Sequence, residues 1–328
     1  MPGALEFDVP FTSRISPDVN QAREHGLSWL RSYGLLSNTV DADNFLAFRL
    51  ADAAATCWPD ARGADLCVAT DFSGWTRIAD DMFIAQPAAA LYSVTEVERL
   101  LETALGNEPL VSENHCPTPM TSSFADLWTR LTDGMSPTWQ RRIADALLRF
   151  FAACRTEVDN RRRERVPTVA DYRRLRRDSV FTDALFALTE RTSHLEAPAI
   201  LFANPRFLAL RDAGTDLAAF INDLYSLDIE ESQGDCHNLA LVLQHELDCS
   251  RDDAIARVQH EITALTRDFL ALEAGLPALY RSLNLSAPQQ KAASHYVDGI
   301  RNIVATTRDW SSTSSCYDVP SLDGQISD

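Results

Sequence analysis

Asn222, Ser226 and Glu230 stand at i, i+4 and i+8 within Phe220-Ile221-Asn222-Asp223-Leu224-Tyr225-Ser226-Leu227-Asp228-Ile229-Glu230. In a helix each step of four residues advances about 40° around the axis, so the three side chains stack on one face. An amide oxygen, a hydroxyl and a carboxylate in line are hard donors, the set Mg²⁺ takes when it keeps waters and shares a phosphate. Leu217, Phe220, Ile221 and Leu224 are apolar, so the polar line borders a buried face. Alone, such a line also suits the polar stripe of an amphipathic helix. A second acidic cluster shifts the balance: Asp80 and Asp81 sit side by side in a helical run with Leu66, Val68, Phe72, Trp75 and Ile78. Adjacent carboxylates in apolar surroundings repel each other and lose hydration unless a cation or base offsets them.

The elements that must position these clusters read as helices. Ser16-Pro17-Asp18 is a helix start, with Ser as cap and Pro in the first turn, and the helix runs to about Leu35. Residues 43–56 read as a second helix and 64–86 as a third, which carries the Asp pair and stops before Pro87. Val94 to Leu105 is a short amphipathic helix, and 106–122, with three prolines, a loop. Ser136-Pro137 opens a long helix from Trp139 to about Glu164. Thr168-Val169-Ala170-Asp171 is a capping-box pattern for a helix through Tyr172 and Arg176, then on to Phe181, Leu185 and Leu188. Pro198 and Pro205 break residues 192–205, and 206–232 carry the helix of the oxygen line. Asn238 to Leu247 is apolar, Ser250 caps a helix to Gly275, and a last helix covers about Pro288 to Trp310. No stretch reads as a strand, so the expected class is all-α. The expected division is an extended segment over 1–17, one helical domain over 18–312, and a tail over 313–328 that closes over the site or is partly disordered.

The 328 residues, 45% of them hydrophobic, suffice for one large core. A formal charge of −17 argues against nucleic acid or an anionic membrane surface as partner. A polyanionic substrate would meet general repulsion, so divalent metals and a few arginines must hold it. Lys291 is the only lysine, which makes an arginine count less telling than usual. The seven cysteines are irregularly spaced and lack a zinc pattern, so reduced core thiols are expected. No signal-like N-terminus and no long apolar run is present, and the expected location is the cytoplasm.

The nine-residue line from Asn222 to Glu230 matches all four key positions of the N-D-x-x-S-x-x-x-E motif of the class I terpene synthases. Asp80-Asp81 resembles their aspartate-rich motif, although Ile84 stands where many members carry a third acid. Tyr172-Arg173-Arg174-Leu175-Arg176 is similar to a Tyr-x-x-x-Arg segment whose arginine senses diphosphate, and Arg176 lies 46 positions before Asn222. The chain thus resembles a bacterial class I terpene cyclase from about residue 10 to 318. That resemblance implies a single-domain helical bundle around a central apolar cavity. It implies three Mg²⁺ ions, two ligated by Asp80 and Asp81 and one by Asn222, Ser226 and Glu230, all bridged by a linear prenyl diphosphate. Farnesyl is the first expectation and geranylgeranyl the second. The ions and Arg176 would stabilise the leaving diphosphate while the carbocation cyclises away from water. Tyr317 and Arg177 are candidate diphosphate contacts. Phe72, Trp75, Thr76, Phe181, Phe207 and Trp310 are candidate cavity walls, with Phe202 beside them, because ring faces stabilise cations. For each ring, ordinary core packing competes with that role.

Several positions depart from the pattern. The family's C-terminal Arg-Tyr pair stands here as Cys316-Tyr317, and Ile229 replaces a common lysine, so two cationic contacts are missing. Weaker diphosphate retention, or replacement by Arg177 or Arg308, is expected. Thr76 and Arg77 stand where relatives often place aromatics, and Arg77 is within i, i+4 reach of Asp81. The segment after Arg176 lacks the usual glycine. Two alternatives stay open: a prenyl-chain-elongating synthase, which would need a second Asp-rich motif, and a catalytically silent helical protein that binds prenyl diphosphates. Relatives often form homodimers, and no stripe in the sequence decides for or against one.

Overall fold

A computed structural model describes residues 5, 7–36, 39–106 and 118–317. In chain order the helices are α1 (Val19–Ser32), α2 (Thr39–Ala47), α3 (Leu50–Cys57), α4 (Gly63–Ala85), α5 (Pro87–Leu105), α6 (Pro119–Thr132) and α7 (Pro137–Arg162). They continue as α8 (Val169–Ser179), α9 (Thr182–Ser193), α10 (Pro205–Ser232), α11 (Leu239–Leu247), α12 (Arg251–Ala274), α13 (Leu276–Ser282) and α14 (Ala287–Ser311). Short 3₁₀ turns lie at Ala199–Ala203 and Ser315–Tyr317, and no strand occurs among the described residues. The all-α expectation holds. No helix of the described residues is long and apolar enough to cross a membrane.

The two oxygen clusters ride on two hub helices. α4 packs against α1, α3, α5, α6, α7 and α9, while α10 packs against α8, α9, α11, α12 and α14. Contacts α4–α7–α8–α10–α14–α3–α4 close a ring, and α9 touches α4, α7, α8, α10 and α14. Close approach in this ring depends on two glycines. A Cβ on Gly214 would lie 2.3 Å from the Ile300 side chain, and one on Gly299 would lie 2.3 Å from Thr189 Oγ1. Even alanine at either position would push α14 off α10 or off α9. Entry to α10 is set by Asn204, whose Oδ1 accepts from Arg206 N and Phe207 N, with Pro205 in the first turn.

Helix boundaries differ from the sequence reading in several places, and α5 starts at Pro87 rather than Val94. The single helix expected over 43–56 is two, because Arg49 takes φ 56°, in the left-handed region. The helix expected to run from Thr168 past Phe181 is also two. α8 stops at Ser179, and Phe181 stands at φ 69° before α9. That φ is costly for an aromatic residue. Stacking of the Phe181 ring on Phe72 (5.4 Å) and against Phe150 (4.6 Å) offsets it. Finally, α6 occupies part of the expected 106–122 loop and α13 follows Gly275, neither foreseen. The rest of that loop, residues 107–117, and the tail beyond Tyr317 lie outside the described residues. Cys57, Cys67, Cys154, Cys236 and Cys249 are free thiols.

Candidate active site

Both oxygen clusters lie near the C-terminal ends of their helices. Asp80 and Asp81 are in the last two turns of α4, and Glu230 is in the last turn of α10. A helix C-terminus carries partial negative charge, so carboxylates there are disfavoured and a basic residue would be the usual complement. Neither helix has a basic residue in its last turn. Burial and the nearby charge of Asp223 push the Glu230 carboxyl up to about 8, against the pull of Arg176 and a hydrogen bond from Asn238 Nδ2 at 2.8 Å. Such an acid surplus calls for a cation. The donors suit a hard one: Asn222 Oδ1 and Glu230 are oxygen ligands, and Ser226 Oγ donates only to Asn222 O (3.0 Å), which leaves its lone pairs for a metal.

Arg176 is placed by α8, whose N-terminus is capped by Thr168 Oγ1 on Asp171 N. Its Nη2 donates to Asn222 Oδ1 (2.6 Å) and Asp223 Oδ1 (2.8 Å), and its Nε to Asp223 Oδ1 (3.1 Å). None of these bonds uses Nη1. Asp223 is fully buried and also accepts from Tyr172 Oη and from Leu239 N (3.0 Å). It therefore fixes α8, α10 and the start of α11 around one carboxylate. Sequence reasoning counted Asp223 among the four key positions of the motif but gave it no contact of its own; its place beside Asn222 turns it about 100° away from the oxygen line.

Two routes join the Asp pair to the oxygen line, one of through-space charge and one of contacts. The inner, electrostatic route crosses α7. Burial, then the charges of Glu157 and Asp80, push the Cys154 thiol well up. Burial also raises Glu157, which faces the cations of His237 and Arg176. Glu157 is a further acid that the sequence reading missed, since nothing in the α7 pattern sets it apart. The outer route runs through the C-terminal segment. Tyr317 Oη accepts from Asn222 Nδ2 (2.6 Å), and its ring meets Trp310 edge-on at 5.8 Å. Trp310 Nε1 and Ser314 Oγ donate to Phe48 O (2.8 and 3.2 Å), and the Phe48 ring lies 5.3 Å from the Arg77 guanidinium. Arg77 in turn grips Asp81, Nε to Oδ2 at 3.1 Å and Nη2 to Oδ1 at 2.5 Å.

Four expectations are corrected. Arg177 does not face the oxygen line: its Nε and Nη2 hold Asp216 (2.8 and 2.7 Å) and its Nη1 holds Asp212 (2.6 Å). Arg308 is equally committed, to the carbonyls of Val9 (2.6 Å) and Phe11 (3.0 Å) and to Asp309. Phe207 is about 22 Å along α10 from Asn222 and packs with Phe202 and Tyr296 at the opposite end. Trp75 joins α4 to α6 and α7, with Nε1 on Met120 O (3.2 Å) and its ring against Phe124 and Phe151. Phe72 and Phe181 stack between α4 and the α8–α9 break. Thr76 folds its hydroxyl onto Phe72 O (2.9 Å), leaving a methyl as its free surface. Asp235, Cys236 and His237 also cluster within metal-binding distance. Arg161 and the His237 ring already occupy the Asp235 oxygens (2.9 and 2.8 Å), so that cluster is a structural clasp.

Comparison with known proteins agrees with this architecture. The family model described as terpene synthase family 2, C-terminal metal binding, matches residues 71–268. Pentalenene synthase of Streptomyces avermitilis is 31% identical over 97% of this chain and 94% of its own. A (−)-β-caryophyllene synthase of Saccharothrix espanaensis, described as cyclising (2E,6E)-farnesyl diphosphate, is 31% identical over 96% of this chain and 89% of its own. The solved structure of the linalool/nerolidol synthase of Streptomyces clavuligerus superposes with a TM-score of 0.85 at 29% identity, covering 93% of this chain and 100% of that one.

Proposed function

We propose, for a chain that belongs to the bacterial class I terpene synthases, that it ionises a linear prenyl diphosphate, farnesyl diphosphate first, and cyclises the resulting carbocation. The observation that carries this reading is the unbalanced oxygen set at the ends of α4 and α10, beside an arginine with Nη1 unspent. Asp80, with Asp81, and the line Asn222, Ser226, Glu230 would hold three Mg²⁺ ions, which when bound neutralise the diphosphate and favour its departure. Arg176 is braced by Asp223 and offers its remaining N–H groups to a phosphate oxygen. No side chain needs to act as nucleophile, because departure is driven by charge. Phe72 and Phe181 present ring faces that exclude water and stabilise the migrating positive charge. Tyr317 and Trp310 tie residues 313–317 to Asn222 and Phe48, and that segment would close further around substrate.

Chain elongation has no second Asp-rich motif to use, since Asp252 and Asp253 lie in the first turn of α12 behind the Ser250 cap. The net charge suits a small substrate rather than nucleic acid, and we assign the reaction to the cytoplasm, by a monomer or a homodimer. Incubation of the purified protein with Mg²⁺ and prenyl diphosphates of ten, fifteen, twenty and twenty-five carbons tests the proposal. A cyclic hydrocarbon or alcohol from the fifteen-carbon substrate is expected. Absence of product from all four, with diphosphate still bound, would leave a silent binding protein instead.

A further inference from the structure

Of Arg77, Arg176, Arg177 and Arg308, Arg77 alone pairs with an acid that is itself a proposed metal ligand. Arg176 is locked to the fully buried Asp223, Arg177 to Asp212 and Asp216, and Arg308 to the carbonyls of Val9 and Phe11. Arg77 holds Asp81, with the side chains 27% and 41% exposed, a setting in which an ion pair is weak and readily exchanged.

Helix geometry sets what the guanidinium can reach. Positions 77, 80 and 81 are i, i+3 and i+4, so Arg77 overhangs both members of the Asp pair. The Phe48 ring, 5.3 Å away, gives the guanidinium a face to rest on when it leaves Asp81. Phe48 is also where the C-terminal segment is tied down, through Trp310 Nε1 and Ser314 Oγ on its carbonyl. Phe48 therefore links the Arg77 side chain on α4 to the segment that carries Cys316. A planar fork there can take two oxygens of a diphosphate at once, which an ammonium cannot.

We infer that Arg77 binds the diphosphate of the substrate at the mouth, supplying from α4 the guanidinium that position 316 lacks. On binding it exchanges Asp81 for phosphate oxygens, and Asp81 is released toward the metal. In the resting protein the same contact masks Asp81, so the ligand set completes itself only when an anion draws Arg77 away.

This inference rests on the prenyl-diphosphate reading, and binding of inorganic diphosphate separates the two. Calorimetric titration with diphosphate at saturating Mg²⁺ would compare the full-length protein with Arg77→Gln, Arg77→Lys, Phe48→Leu and Arg77→Gln/Cys316→Arg, each checked for an unchanged melting temperature. Arg77→Gln is expected to weaken binding about tenfold or more. Arg77→Lys should recover part of that loss, and Phe48→Leu should cost about two- to threefold. Adding Cys316→Arg to Arg77→Gln should restore most of the affinity. Diphosphate bound equally by wild type and Arg77→Gln would overturn the role of Arg77, as would full affinity in Arg77→Lys, since a lysine can pair with Asp81 without a fork. No binding by wild type would instead sink the reading of the site.

Discussion

The two ends of α10 hold the same kinds of residue and use them differently. At the far end, Phe202, Phe207 and Tyr296 pack edge to face beneath Arg142 and Arg211. There Arg142 holds the fully buried Glu190, and Arg211 holds Asp183 and donates to Tyr296 Oη at 3.0 Å. At the near end burial raises Glu157 and Glu230 as it raises Glu190, but among the described residues neither they nor Asp80 has the arginine ion pair that Glu190 has in Arg142. A satisfied ionic cluster needs nothing more and only holds helices together. An unsatisfied one stores affinity for whatever positive ligand completes it.

The widest separation between the two ends should appear in turnover. Asp80→Asn is expected to lower kcat by at least about 10²–10³-fold, the scale of losing one charge-stabilising group at a reacting centre. Asp81→Asn should be milder, because Asp81 enters the ligand set only after Arg77 has left it, whereas Asp80 has no such competitor among the described residues. Melting temperature should hold or rise in both, since each removes negative charge from a helix C-terminus. Equal kinetic losses from the two variants would show that the Arg77 contact does not distinguish them. Chelation of divalent ions should abolish turnover while leaving the helical signal in circular dichroism intact.

The far end should answer in stability. Phe207→Ala removes a fully buried ring at the meeting of α10, α14 and the Ala199–Ala203 turn, and should cost about 3–5 kcal/mol in chemical denaturation. Product pattern per folded molecule should stay that of the wild type. A changed pattern would place Phe207 on the cavity after all. Phe72→Ala is the matched control: it loses the stacking on Phe181 and should alter products as well as stability.

How much of this was legible depended on how local each signal is. Asn222, Ser226 and Glu230 could be read because helical period alone aligns them, and the Arg77–Asp81 pair because it is one turn long. Arg176 was recoverable from its separation to Asn222. The α8–α9 break was not, because nothing in Ser179-Val180-Phe181 favours a left-handed residue; Phe72 and Phe150, distant in sequence, make it tolerable. The break at Arg49 has the same character, with Trp310 and Ser314 bonded to the carbonyl just before it. α6 was hidden by its prolines, although Thr118 and Thr121 close a capping box around Pro119. Which arginines face phosphate was the least readable feature, since Arg176 and Arg177 are neighbours whose partners lie about two turns apart on α10.

The smallest effect sharpens the comparison through pH. Glu190 is pushed up to about 7 by burial, with Arg142 and the Ala197 N–H pulling it down. Unfolded, the same carboxyl titrates near 4.3. Between these values the native state keeps a proton that the unfolded state has released, so stability falls as pH rises from about 4.3 to about 7. Above that range the contribution is flat. Glu190→Gln, neutral throughout, should lose this slope while keeping its turnover per folded molecule, and denaturation series at pH 5, 6 and 7 would show it as a change of about 1–2 kcal/mol. If wild type and variant run parallel, Glu190 stays ionised beside Arg142 across the range. The far cluster would then be an ordinary ion pair, and the contrast with the near end would be wider still.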